Sequence, residues 1–264
     1  MRPRVGILGN DGRPVCERWA KPLLERGVGV EIITPTRDID AKRTLTQFDG
    51  LLLPGGFSNV HPSFVGRMEM DEDDYDVVRD EAAVALVRAA YDMDFPTLGI
   101  CRGMQEMVAA YGGALEKLEN LEHAANYQYA GDHKKMNTPV HDINFVEGKK
   151  LRELFDGLCD AFGRVRVNSI HHEGITLQGI ARRKSSVLRQ KFDIEAVSHD
   201  DVVEALSGKG KSFFIGVQAH FELSEPKAEA VSQMHERLFD CFANHIIVYH
   251  ENRVSQLERN LCIA

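Results

Sequence analysis

The most constraining feature of the chain is an alternation in its first half. Short apolar runs are separated by stretches with helical periodicity. Arg4–Gly9, Val28–Thr34, Gly50–Pro54 and Thr97–Ile100 read as buried strands. A helix is expected near Val15–Arg26, with Pro14 suited to its start and Pro22 expected to kink or split it. A second is expected over residues 73–93, where Val78, Ala82, Leu86 and Ala89 recur at helical spacing. A third follows Gly103, with Met104, Met107, Val108 and Tyr111 as its stripe. This β-α-β-α order implies a mainly parallel sheet covered by helices.

The rest of the chain is less regular. Residues 116–138 are polar and read as a loop or lid over the sheet edge. Val140–Val146, Arg164–Asn168, Asp193–Val197, Val202–Leu206 and Phe213–Gln218 read as further strands. A closing helix is expected over about Glu225–His250, with Val231, Met234, Leu238 and Phe242 on one face. There is no internal repeat and no linker long enough to divide the chain. Its 264 residues are therefore read as one domain, 1–264, burying about three quarters of its unfolded surface.

Charge and cysteine usage narrow the function classes. Forty acidic residues against 32 Lys and Arg give a net charge of −8, against the basic footprint of a nucleic-acid binder. No apolar run approaches a membrane span, and the N-terminal run is too short for a signal-peptide core. The five cysteines (Cys16, Cys101, Cys159, Cys241, Cys262) are odd in number and widely spaced, so they imply no disulfide framework. A cytoplasmic, reducing setting is expected.

Gly99-Ile100-Cys101-Arg102-Gly103 carries the strongest chemical signal. A strand runs into a helix through a cysteine flanked by glycines, the arrangement of a nucleophile elbow. A tight turn exposes the side chain above the sheet edge, and the helix N-terminus is expected to favour the thiolate. The bland alternative is a buried structural cysteine. A thiolate needs a proton shuttle, and His220 with Glu222 supplies one if the segment is extended, since residues two apart then share a face. Alone that pair reads as surface polarity. Pro54-Gly55-Gly56 follows another buried strand and can aim a backbone N–H at an oxyanion, together with the N–H of Arg102. Asn168-Ser169-Ile170-His171-His172-Glu173 ends a later strand and suits a small-molecule contact, although paired histidines in a loop are usually polar surface. Glu69, Asp71, Glu72, Asp73, Asp74 and Asp76 read as a solvated helix start, or as an acidic rim for a cationic amine.

Together these segments resemble the class I glutamine amidotransferase superfamily, and within it the γ-glutamyl-γ-aminobutyrate hydrolase branch (peptidase C26). The resemblance rests on residues 54–62 (PGGFSNVHP), 100–106 (ICRGMQE), 167–171 (VNSIH), 203–205 (VEA) and 216–222 (GVQAHFE). It implies a flavodoxin-like α/β fold with additional strands. It also implies a Cys101, His220 and Glu222 triad, oxyanion N–H groups on Gly56 and Arg102, and substrate contacts from Gln105 and the Ser169, Ile170 and His171 segment. The implied substrate is a γ-glutamyl amide or glutamine, cleaved through a thioester, with no metal and no cofactor. Ala219, Phe221 and Glu173 depart from the family's usual Trp, Pro and Gln. A glutaminase subunit feeding a synthetase partner, a non-catalytic relative and a homodimer all stay open at this level.

Overall fold

The computed structural model describes residues 2–10, 17–66, 74–129, 132–182, 187–223 and 229–263. Its strands are β1 (Arg4–Leu8), β2 (Gly29–Ile33), β3 (Gly50–Leu53), β4 (Thr97–Ile100), β5 (Glu116–Lys117), β6 (His141–Phe145), β7 (Arg164–Val167), β8 (Glu173–Gly174), β9 (Phe192–Ser198), β10 (Val203–Gly208) and β11 (Phe214–Val217). The helices are α1 (Glu17–Glu25), α2 (Ala41–Leu45), α3 (Val77–Asp92), α4 (Arg102–Ala110), α5 (His133–Met136), α6 (Lys150–Leu154), α7 (Leu177–Arg182), α8 (Val187–Lys191) and α9 (Glu229–Ile263).

Nine strands form one sheet in the order β2-β1-β3-β4-β11-β10-β9-β6-β7, and β5 pairs with β8 apart from it. The five from β2 to β11 are mutually parallel. The remaining four add on antiparallel. The parallel part has the flavodoxin-like 2-1-3-4-5 order, with the last strand of the chain in fifth place. Alternate residues of the strands enter two separate cores, as a period of two requires. Leu52, Leu98, Ile100, Ile215 and Val217 pack with α1 and α9. Leu51, Leu53 and Phe214 pack with α3 and α4. The strands are buried on both sides, which is why they read as continuous apolar runs rather than as alternations.

Three expectations are corrected. Helix α1 runs through Pro22, because the Trp19, Pro22 and Leu23 face buries enough apolar surface to outweigh one lost hydrogen bond. Segment 116–138 is not a bare polar loop: it holds β5, two 3₁₀ turns and α5, and it buries His123 and Asn126. The closing helix continues to Ile263, although its residues past His250 are largely exposed. Its apolar stripe ends there, so periodicity loses sight of it, while helix-favouring Glu, Arg, Gln and Leu carry it on. Val231, Met234, Leu238 and Phe242 are fully buried, as expected. Pro14, Val15, Cys16, Glu69, Asp71, Glu72 and Asp73 lie outside the described residues.

Helix α4 docks on β3 with no room to spare. A Cβ on Gly103 would stand 2.0 Å from the Leu53 carbonyl oxygen and 2.7 Å from its carbon. Both are backbone atoms, so neither can turn aside. Gly→Ala inside a helix ordinarily gains about 1 kcal/mol. At this position the sign should reverse. Gly103→Ala is expected to cost about 1–3 kcal/mol or more by overpacking, read as a lower denaturant midpoint; an unchanged or higher midpoint would refute the close docking.

Candidate active site

Three neighbouring parallel strands, β3, β4 and β11, end at the same sheet edge. Each delivers one candidate element there. Beyond β3 comes the Pro54–Gly56 turn, beyond β4 comes Cys101, and beyond β11 comes His220. Ligands of open α/β sheets bind at this carboxyl edge because the loops there diverge from a rigid floor.

Cys101 sits between β4 and α4 with φ 52° and ψ −109°. A non-glycine residue at positive φ costs on the order of 1–3 kcal/mol and persists only where its surroundings enforce it. Here the Cys101 N–H donates to the Val217 carbonyl at 2.8 Å, and its own carbonyl accepts from the Gln105 N–H at 3.2 Å. The elbow read from the sequence is present. Arg102 opens α4, where its N–H lacks an acceptor within the helix.

His220 and Glu222 do come together, but not by the expected geometry. Strand β11 stops at Val217, and both residues lie in the turn that follows. Within this turn the Leu223 N–H donates to the His220 carbonyl at 3.2 Å. His220 Nδ1 donates to Glu222 Oε1 at 2.7 Å, and the Cys101 sulfur lies near enough to act on the charge of the same ring. Burial works against charge on this imidazole, yet the Glu222 carboxylate and then the Cys101 sulfur outweigh it and push its pKa up to about 10. Burial likewise opposes ionisation of Glu222, but His220 holds its pKa below the ordinary carboxylate value. A Cβ on Gly55 would meet His220 Cε1 at 3.0 Å and Cys101 Cβ at 3.7 Å. The turn after β3 therefore lies directly against both side chains.

Two supports were not foreseen in the sequence. Asn168, fully buried, grips the backbone of His220 from both sides. Its Oδ1 accepts the His220 N–H at 2.9 Å, and its Nδ2 donates to the His220 carbonyl at 3.0 Å. Nδ2 also donates to Asn137 Oδ1 at 2.9 Å. The second support is a buried charge network under the Pro54–Gly56 turn. Arg79 Nε donates to Glu106 at 2.7 Å, and Arg79 Nη2 donates to the Pro54 carbonyl at 2.5 Å. Arg102 donates to Glu106 at 2.6 Å and to Asp80 at 2.7 Å. Burial pushes the Asp80 carboxyl up to about 6, although Arg102 opposes the shift. Arg102 and Glu106 on a wholly buried helix were the available signal, since a buried charge demands a partner.

A cavity of about 470 Å³ opens over Cys101, lined also by Gly56, Asp74, Arg102, Gln105, Lys117, Tyr127, Ile170, His171 and Glu173. Seven of the sequence candidates thus gather near one another: Cys101, Gly56, Arg102, Gln105, Ile170 and His171 on the cavity, with His220 at the thiol. Glu222 stands behind His220. Ser169 does not line the cavity; its hydroxyl donates to the His123 carbonyl at 2.6 Å. Gln105 spends its Nε2 on the Glu173 carbonyl at 3.0 Å. His171 is buried rather than polar surface.

The sequence profile of peptidase C26 matches residues 16–222. The chain belongs to the peptidase C26 family. It is 33% identical to the gamma-glutamyl-gamma-aminobutyrate hydrolase of Escherichia coli O157:H7, over 92% of each chain. It is 32% identical to gamma-glutamyl-gamma-aminobutyrate hydrolase PuuD of Escherichia coli K12, over the same share of each. Among solved structures, a glutamine amidotransferase from Thermotoga maritima superposes with a TM-score of 0.59 at 12% identity, covering 92% of this chain and 98% of that one. The glutaminase domain of Trypanosoma brucei CTPS with bound acivicin gives 0.55 at 16% identity, covering 92% and 94%. These two likenesses are of fold: a mixed, mostly parallel sheet flanked by helices. Among the described residues no helix is long and apolar enough to cross a membrane.

The residues at which this C26 member departs from the usual pattern now have places. Ala219 and Phe221 are buried in the core, where Phe221 packs on Phe155 with ring centroids 5.9 Å apart. Neither lines the cavity. Glu173 does line it. Asn168→Ala is expected to leave the two His220 backbone groups unpaired in a buried place and to cost about 2–6 kcal/mol, at roughly 1–3 kcal/mol for each unsatisfied group. Denaturant unfolding measures this, and a loss below about 0.5 kcal/mol would show that the grip contributes nothing.

Proposed function

We propose that the chain hydrolyses γ-glutamyl amides, such as γ-glutamyl-γ-aminobutyrate or a γ-glutamyl polyamine, with Cys101 as nucleophile. The observation that carries this reading is His220, hydrogen-bonded to Glu222 and set beside Cys101 against the same Gly55 turn, with Cys101 on a strained elbow under the cavity. The names of the two Escherichia coli relatives supply the substrate class.

The steps follow from the parts. The Cys101 thiolate attacks the γ-carbonyl carbon and forms a C–S bond. The oxyanion of the tetrahedral intermediate accepts hydrogen bonds from the N–H groups of Gly56 and Arg102. His220, held protonated by Glu222, gives its proton to the amine nitrogen as the C–N bond breaks. Water then attacks the γ-glutamyl thioester with His220 taking its proton, and glutamate leaves as the C–S bond breaks. Gln105, through its side-chain oxygen, and the backbone around Ser169, Ile170 and His171 hold the glutamyl part, and Asp74 and Glu173 give the cavity wall a negative side for a cationic group.

The direct test is steady-state glutamate release by the purified chain from γ-glutamyl-γ-aminobutyrate, a γ-glutamyl polyamine and glutamine. Release should be fastest from a γ-glutamyl amine, and Cys101→Ala should abolish it while the protein stays folded by circular dichroism. Activity near wild type in Cys101→Ala would end the mechanism.

The titration of His220 gives a second expectation. The imidazolium is the proton donor and its pKa is raised to about 10. The alkaline limb of kcat/KM should therefore fall near pH 10 rather than near the unperturbed value of about 6.5. Glu222→Gln removes a negative charge that favours the imidazolium, so the limb should move to lower pH. A limb that stays in place in that variant would show that Glu222 does not hold the proton on His220.

A further inference from the structure

His171 also belongs to a second cluster, built from four separate segments. His123 Nδ1, His141 Nε2 and His171 Nε2 stand 3.4, 3.6 and 3.8 Å from one atom, Glu204 Oε1. All four side chains are 2% exposed or less. The separations exceed the 2.7–3.2 Å of an ordinary N–H···O bond.

The opposite ring nitrogens decide what faces the carboxylate. His123 Nε2 lies 3.1 Å from both carboxylate oxygens of Asp200. His171 Nδ1 lies 2.9 Å from the Glu173 carbonyl oxygen. Both partners can only accept, so each of these nitrogens carries a proton. In the neutral rings the nitrogens turned toward Glu204 are then bare lone pairs, aimed at a carboxylate oxygen in a dry interior. Lone pairs and a carboxylate repel one another unless a cation lies between them. One added proton relieves one contact and leaves the other rings as they were. A single metal ion relieves all of them at once.

We propose that His123, His171 and Glu204, with His141 as the fourth ligand, bind a divalent transition-metal ion, zinc by the character of its donors, as a closed structural site. Three imidazoles and a carboxylate are a ligand set zinc accepts in tetrahedral geometry. Zinc bonds of about 2.0–2.2 Å place tetrahedral ligand atoms roughly 3.3 Å apart, and the imidazole nitrogens stand 3.4–3.8 Å from Glu204 Oε1. The donor atoms of His123, His171 and Glu204 all lie within 4.8 Å of one another. Asp200 and the Glu173 carbonyl play the part that a carboxylate or carbonyl commonly plays behind a metal-bound histidine, fixing its tautomer and orientation. Asp200 is itself held by Ser198 Oγ at 2.5 Å and Asn120 Nδ2 at 3.1 Å.

The ion would tie segment 116–138 through His123, β6 through His141, the loop after β7 through His171, and β10 through Glu204. Of these ligands His171 lines the cavity over Cys101, and Gln105 leans on the same Glu173 carbonyl that holds its ring. The resemblance implies no metal, and no short-range ligand spacing in the chain marks one. These ligands are far apart along the chain and meet only in the fold. The ligands are distinct from Cys101, His220 and Glu222, so the site is tested apart from the reaction proposed above.

The test uses the full chain carrying Cys101→Ala, so that zinc cannot be held by the thiol. After metal-free dialysis and one addition of zinc sulfate, elemental analysis should find about one equivalent per chain, and a chelator should lower the melting temperature. Glu204→Gln and His123→Asn should each reduce the bound zinc at least tenfold. Should those variants fail to fold, cobalt(II) replaces zinc in the parent chain, where tetrahedral nitrogen and oxygen ligation gives visible absorption bands. The proposal is overturned by a parent chain that retains no zinc and melts alike with and without chelator. It is equally overturned by undiminished zinc in the two folded variants, or by no tetrahedral cobalt spectrum.

Discussion

The contact of Gly103 with the Leu53 carbonyl sets the geometry of everything above the sheet edge. It lets α4 lie flush against β3, so the helix must begin immediately after β4. The one residue left to turn the chain is Cys101, and it takes up a left-handed backbone to do so. A side chain at Gly103 would lift the helix, lengthen the turn and relax the elbow. The strain at Cys101 is thus enforced by packing two residues along, at Gly103, and the N–H bond to Val217 ties it to the strand that also delivers His220.

The surroundings of the cavity differ in kind on its two sides. Beneath the Pro54–Gly56 turn, two guanidinium groups and two carboxylates neutralise one another in a dry interior. Such networks contribute little net stability, but losing one partner is costly, because the remaining charge has nowhere to go. Their value here is direction. Arg79 holds the Pro54 carbonyl and Arg102 is anchored at both ends of its fork, so the turn and the first residue of α4 are fixed relative to each other. On the other side, Asn168 fixes the backbone of His220, leaving only the ring to be oriented by Glu222.

Much of this was legible in the chain. The four early strands, the elbow and the closing helix all come from apolar runs and helical stripes, signals that depend on burial alone. The antiparallel additions β6, β7, β9 and β10 were also marked by short apolar segments, although their order in the sheet was not. His220 and Glu222 were paired through a strand periodicity that stops at Val217; a turn brings them together instead. Asn168 was visible only as a polar residue at a strand end, because its partners are backbone groups, which carry no residue identity. The histidines around Glu204 read as scattered polar positions, since only long-range strand pairing makes them neighbours. Helix α9 ran past its predicted end because propensity, unlike packing, leaves no periodic mark.

The sheet order has a consequence for how reactivity arises as the chain folds. β4 is made early, but one of its parallel neighbours, β11, is among the last strands in the sequence. Everything that β11 brings, including the acceptor for the Cys101 N–H and His220, arrives by a long-range closure that pays loop entropy first. Until that closure the thiol has neither its strained backbone nor its imidazole. Insertion of the final strand therefore both completes the sheet and sets His220 beside Cys101. Folding of the last parallel strand and assembly of this pair are one event.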